Sequence, residues 1–270
     1  MFVRIAYFIV LCGLMGSAHA ELPRFSPDTE WQFEIANDSP NGFKFSDAYE
    51  THTMSLFTQR DQIIIGASAL LVAPKRSKRA QDDWVANRAF GEMLTVEAHK
   101  RRPSDGTGDW FIGGRVALIG EFGIDKMQED VHRLLGYSSM RNDLDNARMD
   151  DDATASLLIT HQRRLENLLN VDSTLELGTW RNALSAKITK PTTCENFQWH
   201  YHAKLELVAN DEIVSAAPVN ADIRHIVPTL GVGFCTRWRN LEIQLSEEIS
   251  LPRIRSDNDV YPMVRLKIGF

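Results

Sequence analysis

Polar and apolar residues alternate strictly in the stretch Phe197-Gln198-Trp199-His200-Tyr201-His202-Ala203-Lys204-Leu205-Glu206-Leu207. A period of two puts the two sets of side chains on opposite faces of a β-strand. The chain ends in the same way, because Val264, Leu266 and Ile268 alternate with Arg265 and Lys267, and Phe270 continues the apolar set. A face this charged does not suit the core of a small soluble sandwich, whereas an aromatic face suits lipid. The pattern predicts an all-β, transmembrane antiparallel barrel, and the alternative is a secreted β-sandwich.

Alternation elsewhere predicts twelve strands, an even number of the kind that bacterial single-chain barrels have. We expect them near residues 30–37, 49–58, 61–72, 88–98, 109–119, 153–164, 172–184, 196–209, 211–218, 224–238, 239–250 and 259–270. If the first strand runs outward, residues 38–48, 73–87 and 120–152 form long outer loops and residues 59–60 an inner turn. The terminal Phe270 resembles the C-terminal signal of bacterial outer-membrane barrels.

The N-terminus has the features of an export signal. Arg4 precedes an apolar run from Ile5 to Met15, and small residues end at Ala18-His19-Ala20. This run is too short to cross a bilayer, so residues 1–20 are predicted to be a signal peptide and residues 21–270 the barrel. Loss of Arg4 lowers the formal net charge from −6 to −7, which argues against nucleic acid as a partner. Two cysteines remain, Cys194 and Cys235, and they either pair or stay free.

Candidate chemistry falls in the three predicted outer loops. In the third loop, Met127, Val131, Leu134 and Leu135 have helical spacing, and Gly136 suits the end of a helix. Gln128 and His132 are four residues apart and would share one face of this helix. His132 is a candidate general base, because the pKa of histidine lies close to neutrality. A purely structural histidine is the alternative.

The other two loops carry groups that suit ions. The basic run Lys75-Arg76-Ser77-Lys78-Arg79 is either a solvated patch or a phosphate site, since Lys supplies a point charge and Arg a bidentate fork. Asn37-Asp38 supplies hard oxygens that can bind Ca²⁺, although such residues also serve in ordinary turns. No zinc motif, phosphate-binding loop or G-x-S-x-G motif is present.

Taken in order, these segments resemble the outer-membrane lipid A 3′-O-deacylase family. The resemblance runs from about residue 31 to residue 136, roughly half of the chain that follows the predicted signal peptide. It rests on Phe33-Glu34-Ile35-Ala36-Asn37-Asp38, Asp47, Tyr49–Thr53, Lys78-Arg79, Arg88-Ala89-Phe90, Leu118-Ile119-Gly120, Gln128 and Val131-His132-Arg133-Leu134-Leu135-Gly136.

The resemblance implies a twelve-stranded barrel in the bacterial cell outer membrane. It also implies a Ca²⁺-dependent esterase that removes the 3′ acyloxyacyl chain of lipid A, the membrane anchor of lipopolysaccharide. His132 would then be the general base, with Asn37 and a strand-two hydroxyl from Thr51 as further catalytic groups and Asp38 on the metal side. Glu50 and Thr53 are alternatives to Thr51. Lys78, Arg79 and Gln128 would bind the substrate.

The chain also departs from the family pattern. Glu121 follows Gly120 where the family usually has Pro, and Ser138 stands where an acidic residue is expected. Asp143, Asp145 or Glu121 could supply the missing carboxylate. The competing hypotheses are a non-enzymatic outer-membrane barrel that binds lipid, and another envelope lipid esterase such as a phospholipase. A small-molecule pore is disfavoured, because mixed charges such as Lys204 and Glu206 would tend to fill a barrel of this size.

Overall fold

The chain folds into a closed antiparallel β-barrel of twelve strands. The computed structural model describes residues 21–25, 29–38, 50–72, 91–103, 106, 108–124, 126, 130, 148–165, 169–190, 194, 197–212, 222–239, 241–251 and 261–270. The strands are β1 (Trp31–Asp38), β2 (Glu50–Arg60), β3 (Ile63–Val72), β4 (Gly91–Pro103), β5 (Asp109–Gly120), β6 (Asp152–Leu165), β7 (Leu169–Gly178), β8 (Arg181–Thr189), β9 (Gln198–Asp211), β10 (Ile226–Trp238), β11 (Leu241–Ser250) and β12 (Tyr261–Gly269).

Each strand pairs with its neighbours in sequence, and β1 closes the barrel on β12 from Gln32–Gly269 to Asp38–Met263. The two ends differ in their connections. The end with the connections 61–62, 104–108, 166–168, 190–197 and 239–240 is called the turn end. The opposite end, the loop end, has the connections 39–49, 73–90, 121–151, 179–180, 212–225 and 251–260. Short turns on one side and long loops on the other are typical of outer-membrane barrels.

The predicted number of strands is confirmed, but two of the predicted strands were wrong. The predicted strand 172–184 contains a tight turn, because β7 ends at Gly178 and β8 begins at Arg181. The Asn182 side chain accepts a hydrogen bond from the Gly178 amide across that turn, 3.1 Å away. The predicted strand 211–218 begins at Asp211, which is the last residue of β9, and residues 213–218 lie outside the described part. One predicted strand contains two observed strands and another begins inside β9, so the total of twelve is unchanged. As a result β9 runs toward the loop end, whereas the predicted strand 196–209 ran away from it.

Alternation along each strand separates a lipid-type exterior from the interior, as the sequence pattern predicts. In β9, Trp199 is 59% exposed on the outer face while its neighbour His200 is 7% exposed inside. The same contrast recurs around the wall. Exposed outward side chains include Leu56, Ile65, Val96, Ile112, Val116, Leu118, Leu157, Leu177, Leu184, Leu205, Leu230 and Val232. Among the described residues, no helix has the length and apolar character needed to cross a membrane.

The interior of the barrel contains apolar clusters as well as buried charged side chains. At the turn end, Phe57, Ile64 and Phe111 form an apolar cluster with Leu22 and Phe25. At the loop end, a second apolar cluster contains Leu70, Met93, Ala117, Ile119 and Met149, with Trp180 packed against it. Other parts of the described interior hold buried charged side chains, including Arg181 and Asp211 at the loop-end termini of β8 and β9. The described part of the lumen is therefore packed along its length.

The buried charged side chains are held together by ion pairs. Arg115 contacts Glu97 and Glu176 at 2.8 and 3.1 Å, and Arg181 contacts Glu176 and Glu206 at 2.5 and 2.8 Å. A second network, on the other side of the lumen, joins Arg265 with Glu34 and Glu248, Lys267 with Glu34, and His202 with Glu248. Buried charges are tolerated when each has such partners, so these networks bind distant strands to each other across the interior.

Residues 21–25, the N-terminal segment, run across the turn end of the lumen. Glu21 pairs with Lys187 and Lys204 at 2.7 and 3.1 Å. Burial alone would raise the pKa of the Glu21 carboxyl, but these lysines outweigh it and hold that pKa well below its ordinary value. Arg24 pairs with Asp172 in β7 at 2.5 Å. The segment thereby closes the turn end from inside.

A disulfide reinforces the same end. Cys194, in the connection between β8 and β9, is bonded to Cys235 of β10, with their Cα atoms 5.2 Å apart. Pairing was one of two possibilities from the sequence, and the structure has the paired form. The bond links a turn-end connection to a strand beyond it in the barrel.

Large rings in the lumen lie over glycines of the neighbouring strand. Four such pairs are directly opposite in register: Phe57 with Gly66, His99 with Gly113, His202 with Gly231 and His200 with Gly233. A Cβ at Gly113 would lie 2.5 Å from Nδ1 of His99 and 2.4 Å from the carbonyl oxygen of Ala98. These glycines provide the space that allows rings to fill the interior.

Gly113→Ala should therefore destabilise the barrel, because the new methyl group meets both a ring and the backbone. The expected loss in free energy of unfolding is about 1–3 kcal/mol. The matched control is Gly114→Ala, since the nearest atom to its Cβ would be the Ser156 carbonyl oxygen at 3.7 Å. Urea unfolding in lipid vesicles, followed by tryptophan fluorescence, compares the two variants. Equal stability would contradict the ring-over-glycine account.

Candidate functional site

Three of the residues predicted for the site lie on neighbouring strands at the loop end. Asn37 and Asp38 are the last two residues of β1, opposite Val264 and Met263 of β12. Thr51 is the second residue of β2. The pairing of β1 with β2 extends to Ala36–Thr53. The backbones of Asn37, Asp38 and Thr51 therefore lie just beyond the last paired position, at one edge of the barrel.

The register of β2 is irregular at this position. Between Glu50 and Thr53 the pairing with β3 shifts, as in a β-bulge. Bulges redirect side chains and often lie next to active sites. Thr53 itself is buried on the interior face with Ser55. Which of Glu50, Thr51 and Thr53 serves the site stays open, as it did from the sequence.

The remaining predicted site residues, Lys78, Arg79, Gln128 and His132, lie outside the described residues, as do Asp143 and Asp145. Their convergence on β1 and β2 stays a prediction. Of the carboxylates that could replace the expected acidic residue, Glu121 is described, and it pairs with Arg148 at 2.8 Å. Within the described residues, no group of three or more His, Cys, Asp or Glu is arranged to hold a metal ion.

The base of the long β5–β6 connection is held by a residue that the sequence reasoning missed, Glu92 of β4. Its Oε2 atom accepts hydrogen bonds from the backbone amides of Phe122 at 2.7 Å and Ile124 at 3.0 Å. Ile124, Lys126 and Asp130 are helical, in agreement with the helix predicted in this loop. Glu92 thus contacts the backbone at the start of the segment that contains Gln128 and His132.

A sequence signal for Glu92 exists in the alternation of β4. Glu92 has the same parity as Leu94 and Val96, which are exposed on the outer face. A carboxylate on a lipid-facing position needs a polar partner, since an unpaired charge in lipid is costly. The signal in the sequence was therefore a charged residue, Glu92, at a position where the alternation predicts an apolar, lipid-facing side chain.

The other end of this connection is held inside the barrel. Met149 belongs to the loop-end apolar cluster and packs so closely on Gly91 that a Cβ there would lie 2.6 Å from its sulfur. Three residues further on, Asp152 accepts a hydrogen bond from the Trp180 indole at 3.0 Å. The connection therefore begins over the outer face and enters the interior at Met149.

The packed lumen bears on which activities the barrel can have. Two apolar clusters, two ion-pair networks and the N-terminal segment occupy the described interior. Barrels of small diameter hold side chains, whereas porins of larger diameter leave an aqueous channel. The described interior contains the mixed charges, such as Lys204 and Glu206, on which the sequence prediction against a pore rests, and that prediction stays untested.

Reconstitution into planar lipid bilayers should accordingly give no resolved conductance steps, because apolar clusters and buried ion pairs occupy the described interior. The measurement is single-channel recording, with a porin reconstituted under the same conditions as the positive control. A steady ohmic conductance proportional to the amount of inserted protein would contradict the packed interior.

Closure on β12, the lipid-type exterior and the asymmetry of the two ends define the class of this protein, an outer-membrane β-barrel. Asn37, Asp38 and Thr51, the described members of the predicted site, lie at the loop end of that barrel.

Known structures share this architecture. LpxR from Salmonella typhimurium matches with a TM-score of 0.68 at 15% sequence identity, over 90% of this chain and 99% of that one. The NanC and KdgM porins match with TM-scores of 0.47 and 0.45, each at 8% identity over 89% of this chain and 98% of theirs. No protein-family profile matches the chain, and no curated protein matches it in sequence. At these identities the likeness concerns the fold, which is an LpxR-like barrel.

Proposed function

We propose that the protein is a hydrolase of the bacterial outer membrane, a lipid A 3′-O-deacylase that releases the 3′ acyloxyacyl chain of lipid A. The observation that carries the proposal is the ordered set of family-like motifs between residues 31 and 136. Those motifs fall on two paired strands, β1 and β2, and on the loops of one barrel end. A site divided among these elements would lie at the level of the outer leaflet.

The fold is in keeping with this proposal. LpxR from Salmonella typhimurium has the same fold over 90% of this chain and 99% of its own. The packed lumen supports chemistry at the rim, since substrate cannot be processed by passage through the interior. An exported lipid esterase also suits a barrel whose exterior is apolar and whose long connections all lie at one end.

In the proposed reaction, His132 removes a proton from a water molecule that attacks the ester carbonyl carbon. The resulting imidazolium then gives its proton to the leaving alkoxide, so that the acid and the 3′ hydroxyl are released. Asn37 and the strand-two hydroxyl, assigned to Thr51, orient the reacting groups by hydrogen bonding. Lys78 and Arg79 bind the phosphate or sugar of the substrate, and Gln128 assists from the same helix face as His132.

The donor set at the end of β1 suits calcium chemically, because an Asn amide and an Asp carboxylate are hard oxygen donors. Asp38 would hold Ca²⁺, with Asn37 beside it at the strand end. A bound cation would stabilise negative charge on the ester oxygen as a Lewis acid.

The test of the proposal is mass spectrometry of lipid A from cells that express the protein, compared with cells that express His132→Ala. We expect loss of the 3′ acyloxyacyl mass with the wild type only, because the variant lacks the base that activates water. The same assay on membranes with and without Ca²⁺ tests the metal.

The matched control is His161→Ala, which removes a histidine near the turn end that stacks on Trp110 at 4.4 Å. It should leave deacylation intact. A gel-mobility shift on heating shows that each barrel is folded. Unchanged lipid A with a folded wild-type barrel would reject the enzyme in favour of a lipid-binding barrel, and release of phospholipid fatty acids instead would identify a phospholipase.

Lys78→Ala should raise KM more than it lowers kcat, because an anion anchor binds the ground state and the transition state equally. The comparison is Lys190→Ala at the turn end, where the ammonium lies 5.3 Å from the centre of the Tyr201 ring. Kinetics on purified lipid A in mixed micelles give both constants. A fall in kcat at constant KM would instead assign Lys78 to the transition state.

A further inference from the structure

We infer that Glu92 is a positioning residue that fixes where the β5–β6 connection leaves the barrel, on the lipid-facing side of the wall. As far as catalysis is concerned, the inference rests on the proposed function, since the segment that Glu92 holds contains Gln128 and His132. The part of the inference that says Glu92 anchors the connection rests only on contacts between described residues.

The register of the wall establishes which face Glu92 occupies. Glu92 pairs with Leu71 of β3 and with Gly120 of β5. In β5, Gly120 has the parity of Leu118, which is half exposed on the outer face, whereas Ile119 belongs to the interior cluster. The Phe122 ring turns back over this face, because a Cβ at Gly120 would lie 3.6 Å from it and 3.0 Å from Oδ1 of Asp151, at the far end of the connection. The first residues of the connection therefore cover the outside of the wall.

Burial of the Glu92 carboxylate follows from this cover. The side chain is 1% exposed although its position in the strand points to the lipid side. Its Oε2 atom receives two backbone amides, those of Phe122 and Ile124, at the point where the helical residues begin. Amides at the start of a helix have no partner within the helix, and they attract negative charge. The Glu92 carboxylate of β4 therefore caps the start of the helical residues that follow β5.

The path of the connection across the rim is constrained on both sides. Gly123, between the two bonded amides, has φ +81°, a conformation that favours glycine. At the far end, Arg148 pairs with Glu121 at 2.8 Å, and Met149 enters the interior cluster. The connection therefore starts on the outer face, enters the interior at Met149 and returns to the outer face at Asp151, beside Gly120, with an ion pair between its two ends.

The consequence for the proposed reaction is geometric. Gln128 and His132 lie outside the described residues; in the helix predicted from the sequence they would share one face, four and eight residues after Ile124. A shift of the first turn would then move both side chains. Misplacement of a catalytic group by about 1 Å can reduce the rate about 100-fold.

Three substitutions separate the reach of the Glu92 side chain from its charge. Glu92→Gln keeps an oxygen at the same distance without the charge, Glu92→Asp keeps the charge but withdraws it by one methylene, and Glu92→Ala removes both. The matched control is Glu247→Asp, which shortens an exposed glutamate in β11. Heat-modifiable mobility on a gel confirms that each variant is a folded barrel.

Amide hydrogen exchange in residues 121–124 tests the anchor without any activity measurement. We expect exchange about tenfold faster in Glu92→Asp and Glu92→Ala, because each loses the carboxylate contacts that protect the Phe122 and Ile124 amides. Glu92→Gln should retain most of the protection, and Glu247→Asp should match the wild type. Unchanged exchange in Glu92→Asp and Glu92→Ala would overturn the anchor.

Lipid A deacylation kinetics on the same variants test the positioning role. We expect kcat to fall by up to about 100-fold in Glu92→Asp and Glu92→Ala at nearly constant KM, with recovery in Glu92→Gln. Faster exchange with an unchanged kcat would overturn the positioning role while leaving the deacylase. An inactive wild type would instead reject the proposed function, and the exchange result would still decide whether Glu92 holds the connection.

Discussion

The structure depends on one constraint, the pairing of β1 with β12. A strand in lipid has no water to satisfy its backbone amides and carbonyls, so an open edge is not tolerated. The seven residue pairs from Gln32–Gly269 to Asp38–Met263 remove that edge. Once the sheet is closed, every residue must face either lipid or the lumen, and the period-two sequence follows from that division.

Closure also determines where chemistry can occur. A small closed barrel encloses a space that its own side chains fill, here with rings seated over glycines and with arginines shared between carboxylates. A substrate therefore has access to the rim or the outer wall. The loop end is where the paired strands β1 and β2 bring Asn37, Asp38 and Thr51 to one edge, and where the β5–β6 connection crosses from the outer wall to the interior.

Much of the fold could be predicted, because alternation is imposed directly by the lipid–lumen division. The period of two located β9 and β12 to within two residues at each end, and it assigned Trp199 to the outer face and Arg265 to the interior. It could not locate the turn at Thr179-Trp180, because a two-residue connection without an interruption in polarity leaves no gap in the pattern. Glu92 was missed for a related reason: its partners are backbone amides distant in sequence, and no side-chain motif records them. The candidate site itself was predicted from a resemblance of motifs. Such a resemblance gives the types of residue and their order, but not the distances between them in the folded chain.

The N-terminal segment has a consequence for how the barrel is built. Glu21 is bound to Lys187, 166 residues further along the chain, and Arg24 to Asp172 and the Arg163 carbonyl, 148 and 139 residues further along. The first residues of the barrel can reach their final partners only after β7 and β8 exist. Contacts of such long range carry a large loop-closure cost and are associated with slow folding. We therefore expect residues 21–25 to bind late in the assembly of this barrel, after the strands that they contact have formed.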